Sequence, residues 1–103
     1  MADFLLSDDA AQDLQDIYRQ GLDWFGECQA DSYLEDLFDL FDLLARNPYM
    51  GTIFDVQAVP FHRYSHKAHV LIYQVIKTKS EHPQAGVKIL RVFYGKSDYF
   101  GQI

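Results

Sequence analysis

Residues 91–99 read RVFYGKSDY. Together with Arg63, Tyr64, Lys67 and His69 they collect basic and aromatic polar groups in the second half of the chain. Such a set can serve as an acid–base site, as a contact surface for a macromolecule, or as the hydrogen-bonding trim of a sheet end. Strand alternation separates some of its members. In a regular strand Ile89, Arg91 and Phe93 face one way and Leu90, Val92 and Tyr94 the other. Arg91 and Tyr94 then point apart, and they cannot share one small active site unless a bulge or strand end intervenes. An arginine set into an apolar strand is equally well read as the partner of a carboxylate or a backbone oxygen.

Other chemistry has weaker support. His62, His66 and His69 straddle a turn with no cysteine near them, whereas a zinc site needs three or four convergent ligands; the expectation is no metal. Cys28, the single cysteine, has neither a cation nor a candidate base beside it in sequence, so a nucleophilic thiolate is not expected. Phosphate-cradling glycine loops, a GxSxG elbow and paired zinc-ligand motifs are absent from the sequence. No catalytic residue and no cofactor is assigned.

Composition sets the frame for these groups. At 103 residues, 49% of them hydrophobic, the chain suits one folded domain over 1–103, because two cores would each be too small to offset their chain entropy. A lone cysteine, no leader-like N-terminus and no apolar run of about 18 residues point to the cytoplasm and away from membranes. The net charge of −6 opposes broad attraction to nucleic acid, and no direct sequence-specific binding to it is expected. The charge is unevenly spread: thirteen acids and two cations precede residue 60, and two acids and seven cations follow.

The elements follow from periodicity. ADFLLS reads as a short strand, and Ser7 stands at a helix N-cap ahead of Asp8 and Asp9, which favour the helix dipole. Ala10, Leu14, Ile17, Gly21 and Trp24 then recur at helical spacing, widened by Tyr18, Leu22 and Phe25, until Gly26 ends the run in a left-handed conformation. Gly21 suits a close approach by another backbone. A second helix carries Ala30, Tyr33, Leu34, Leu37, Phe38, Phe41 and Leu44 on one side and stops at Pro48, with Gly51 in the loop beyond. So short a link makes the two helices an antiparallel hairpin. After it, AVPFHRYS (58–65), KAHVLIYQVIK (67–77) and GVKILRVFYG (86–95) change to strand composition and form an antiparallel meander. The middle strand is apolar on both faces, with Val70, Ile72 and Ile76 opposite Leu71, Tyr73 and Val75, which places it centrally. One helix pair covers only one of those faces.

The ordered set LSDDAAQDLQDIYRQGLDWFG (6–26), QADSYLEDLFDLFDLLARNPYMG (29–51), HVLIY (69–73) and ILRVFYGKSD (89–98) resembles the ParE toxins of the RelE/ParE superfamily over nearly the whole chain. The resemblance implies an α+β fold in the order β-α-α-β-β-β, with the N-terminal helix hairpin packed on one face of an antiparallel sheet. It implies the toxin of a type II toxin–antitoxin pair, inhibiting DNA gyrase without being an enzyme and neutralised by a cognate ParD-like antitoxin. An antitoxin segment is expected along the helix hairpin and sheet. Arg63, Lys67, Arg91, Tyr94, Lys96 and Tyr99 are the candidate target- or partner-binding residues. Tyr94 stands where many relatives carry a histidine, and Lys96 and Ser97 replace a more basic run. The sister RelE branch, which cuts messenger RNA on the ribosome with basic residues and often a C-terminal tyrosine, is the alternative. A relative that binds an antitoxin without toxicity is a further one.

Overall fold

A computed structural model describes residues 4–77 and 85–94. Seven elements follow one another: β1 (Phe4–Leu6), α1 (Asp8–Phe25), α2 (Glu27–Arg46), β2 (Thr52–Val56), β3 (Val59–His66), β4 (His69–Lys77) and β5 (Ala85–Tyr94). The sheet order is β1-β5-β4-β3-β2, so β4 is the central strand that its two apolar faces predict. β1 lies parallel to β5 with Phe4 opposite Val87, and the other pairings are antiparallel. The sheet is thus mixed, and it carries one more strand than the sequence signals. β2 falls where a loop was expected because its turn, Gln57-Ala58, lacks the usual Asn-Gly or Asp-Gly signature. Both residues nonetheless take positive φ, 52° and 69°, the type I′ geometry that joins twisted strands.

Ser7 fastens the first strand to the first helix. Its hydroxyl accepts the Ala10 N–H at 3.0 Å and donates to the Leu90 carbonyl at 2.8 Å, while its own N–H donates to the Ile89 carbonyl at 2.9 Å. The cap expected from sequence therefore also ties α1 to β5. α1 and α2 are linked through Gly26 alone, whose φ of 88° is positive as expected but whose ψ of 173° is extended rather than left-handed helical. Where the hairpin closes, a Cβ added to Gly21 would lie 3.3 Å from the Ala30 Cβ.

The core forms where the hairpin meets the sheet. Ala10, Leu14, Leu37, Phe41, Leu44 and Ala45 pack on Leu71, Tyr73, Val87, Ile89 and Val92, all buried. β5 is not regular there: Ile72 pairs with Arg91 but Tyr73 pairs with Ile89, leaving Leu90 as an extra residue. This bulge corrects the simple alternation, since Ile89 and Val92 both face the helices. Arg91 and Tyr94, three residues apart beyond it, still point to opposite faces. At the other end of the core the Tyr73 hydroxyl donates to the Pro48 carbonyl at 2.8 Å and accepts the Gly51 N–H at 3.0 Å. A Cβ on Gly51 would stand 2.6 Å from that hydroxyl, so the loop can be held this tightly only by glycine.

Leu37 has no exposed surface. Leu37→Asp would bury an unpaired carboxylate between hairpin and sheet and is expected to cost about 3–5 kcal/mol. A urea denaturation curve checks this, and the variant should be largely unfolded.

Candidate partner-binding site

The apolar stripe of α1 runs past the core. Ala10 and Leu14 are buried, but Leu22, Trp24 and Phe25 are exposed, Trp24 at 60% and Phe25 at 63%. The last two turns of α1, the first turns of α2, the β3–β4 turn and the end of β5 thereby enclose an apolar groove of about 430 Å3. Ile17, Gly21, Trp24 and Phe25 form one wall, Ala30, Tyr33 and Leu34 the other, and Lys67, His69 and Tyr94 close one end. Helix periodicity alone finds the stripe; it cannot tell that only half of it meets the core.

The closed end is polar and tightly organised. The Tyr33 hydroxyl and His69 Nδ1 lie 2.5 Å apart. Burial, with Asp36 nearby, pushes the Tyr33 hydroxyl up to about 12. It therefore keeps its proton, and the hydroxyl and Nδ1 share one hydrogen bond whose direction follows the His69 tautomer. His66 stacks on Tyr33, and its Nε2 is buried with no hydrogen-bond partner among the described residues. Burial lowers the pKa of both histidines, and His66 lowers that of His69 further. Lys67 holds a left-handed φ of 53° at the turn, lies 3.5 Å from Asp36 Oδ2 and sits over the Tyr33 ring. Tyr94 meets the His69 ring edge-on.

Arg91 is used differently. Its Nε donates to Asp13 Oδ2 at 2.7 Å and its Nη2 to Asp13 Oδ1 at 3.1 Å. The same Oδ2 accepts the Val92 N–H at 2.9 Å. β1 ends at Leu6, so among the described residues the edge of β5 beyond Ile89 has no strand beside it, and the Asp13 carboxylate takes the strand's place. The carboxylate raises the Arg91 pKa further through this bond. Carboxylate pairing is one of the two readings that the sequence allows for this arginine.

The remaining candidates are spread out. Lys67 and Tyr94 come together at the groove. Arg63 pairs across the sheet with Ile72 and Thr52, on the face away from the helices, and is exposed. Lys96 and Tyr99 lie outside the described residues. Asp13, Tyr33 and Trp24 also contribute to these sites; all three stand within the motifs quoted above, but their sequence neighbours do not mark them as site residues. Among the described residues no group of three or more His, Cys, Asp or Glu side chains is placed to hold a metal. Among the described residues no helix is long and apolar enough to cross a membrane.

Two measurements test this geometry. Asp13→Ala leaves the Val92 amide unpaired and should cost about 2 kcal/mol, whereas Arg91→Ala removes only a half-exposed ion-pair partner and should cost less than about 1 kcal/mol; chemical denaturation of both variants gives the ranking. The two histidines also set a pH dependence. In the unfolded chain they take up protons near the ordinary value of 6.5, and in the folded chain only at lower pH. Their neutral packing is fully available above pH 6.5, and stability falls as pH drops below it. The melting temperature should decrease between pH 7 and pH 5.5, with a smaller decrease in His66→Gln/His69→Gln.

The order of elements, the hairpin on the sheet and the groove can be set beside known proteins. A search among curated proteins finds no match. Among solved structures, the chain is similar to one described as "Chromosomal ParDE TA system from P. aeruginosa", with a TM-score of 0.70 and 19% identity, covering 91% of this chain and 96% of that one. At that identity the likeness establishes the fold. The profile of the "ParE toxin of type II toxin-antitoxin system, parDE" matches residues 4–99. Over that span the chain belongs to the ParE toxin family of type II toxin–antitoxin systems.

Proposed function

We propose that this chain is a non-enzymatic toxin that binds and inhibits DNA gyrase in the cytoplasm and is held inactive by a ParD-like antitoxin. The observation that carries the partner half of this reading is the groove beside α1 and α2, where exposed Trp24 and Phe25 flank an apolar trough. Its dimensions and lining suit the apolar face of an amphipathic helix. The non-enzymatic half is supported by the dispersal of the basic and aromatic set. Arg63 lies on the far face of the sheet and Arg91 is committed to Asp13, so neither converges with Tyr94 on one substrate atom as an acid–base site requires.

Arg63, Lys67, Tyr94, Lys96 and Tyr99 are the proposed contact residues for target or antitoxin, with Arg91 contributing only the guanidinium surface that Asp13 leaves exposed. A supercoiling assay with purified gyrase tests the target. Supercoiling should fall as the protein is added, and undiminished supercoiling at large molar excess rejects gyrase. Lys96→Ala and Tyr94→Ala, each with an unchanged circular-dichroism spectrum, should lose that inhibition. Full inhibition by both would reduce these residues to the trim of a strand end.

A further inference from the structure

Among the described residues the sheet ends in an edge with no covering element. β2 is the outermost strand, and among the described elements it touches β3 alone. Thr52–Val56 contains no Pro, no Lys and no bulge, three of the devices by which exposed edges avoid pairing, and Asp55 is its one charged residue. Ile53 is 61% exposed, Val56 50% and Val59 43%.

The turn fixes which backbone groups point outward. With a two-residue type I′ loop at Gln57-Ala58, the flanking pair Val56 and Val59 is the hydrogen-bonded kind, and so are Phe54–Phe61 and Thr52–Arg63. Ile53 and Asp55 therefore turn their N–H and C=O groups to the open edge. Pro60 agrees with this phase, since it stands opposite Asp55 in a pair that needs no N–H from β3.

From this edge we infer that the chain forms a two-fold dimer in solution by antiparallel pairing of β2 with β2 of a second copy, centred on Phe54. The occupant is a second copy because the edge complements itself. Two outward residues spaced two apart match their own image: Ile53 meets Asp55 of the second copy and Asp55 meets its Ile53, giving four N–H···O=C bonds. The same register keeps the two Asp55 carboxylates from facing each other. Phe54 then faces Phe54 across the axis in a close, non-hydrogen-bonded pair, and each brings its stacked partner Phe61. The strands and these side chains would bury on the order of 1,000 Å2 in total, at the lower limit for a specific association. The inference stands apart from the choice of gyrase as target.

Sedimentation velocity of the full chain from low to several hundred micromolar should show a monomer–dimer equilibrium, strengthened by salt because each copy carries a net charge of −6. Ile53→Asp sets like charges directly opposite at two symmetric positions and should weaken the dimer about tenfold. Ile53→Lys sets a lysine opposite Asp55 and should strengthen it. In a Cys28→Ser background, Phe54→Cys should oxidise to a covalent dimer and Thr52→Cys should not. A monomer at every concentration overturns the inference. Equal weakening by Ile53→Asp and Ile53→Lys, or cross-linking at 52 rather than 54, overturns the register. Pairing seen only after an antitoxin is added assigns the edge to that partner and overturns the second copy.

Discussion

The carboxylate of Asp13 holds two layers together. It accepts two bonds from Arg91 and one from the Val92 amide, and so places α1 along the part of β5 that β1 leaves uncovered. Ser7 makes the complementary joint six residues earlier, capping α1 while binding the carbonyls of Ile89 and Leu90. Between the two joints lies the bulge at Leu90, which turns both Ile89 and Val92 toward the helices. Without the bulge one of these residues would face away from the core, and the hairpin would lose part of the apolar surface it sits on.

The groove is a consequence of this placement. The joints anchor the N-terminal half of α1 to β5, while Gly26 sends α2 back across the sheet, so the far end of α1 extends beyond the surface available to bury it. An 18-residue helix is about 27 Å long, and its last turns keep Leu22, Trp24 and Phe25 at the surface. Exposed aromatic side chains in a concave setting are what a partner's apolar face would cover. The ring cluster of Tyr33, His66 and His69 stiffens the other side, because a bonded and stacked set leaves few rotamers open.

Charge and sheet edge set the remaining character of the surface. Asp16, Asp23, Glu27, Asp31, Glu35 and Asp39 are exposed on the two helices, so the helical layer presents an acidic surface that attracts cationic partners. The β2–β3 hairpin is built otherwise. Beside its aliphatic and aromatic side chains it carries one carboxylate, Asp55, one guanidinium, Arg63, and an open backbone edge among the described residues. The two surfaces suit different occupants, one a helix face and the other a strand.

Much of this was legible in the residues. Ser7 before Asp8 and Asp9 announced the first helix, the 3.6-residue recurrence of Leu37, Phe41 and Leu44 the second, and the two apolar faces around Tyr73 the central strand. The ordered motifs carried the family. What the sequence could not reveal depends on contacts between residues far apart in the chain. Asp13 looks like any helix-surface acid until β5 brings Arg91 and Val92 to it. The bulge at Leu90 exists because β1 and Ser7 grip that strand from the side, and β2 exists because β3 offers it a ladder that Gln57 and Ala58 do not advertise. Local periodicity and caps fixed the two helices and every strand but β2, since those are set by backbone sterics and side-chain pattern within a few residues. The groove, the clamp and the open edge were decided only by tertiary structure, because each is made where one element ends and another fails to cover it.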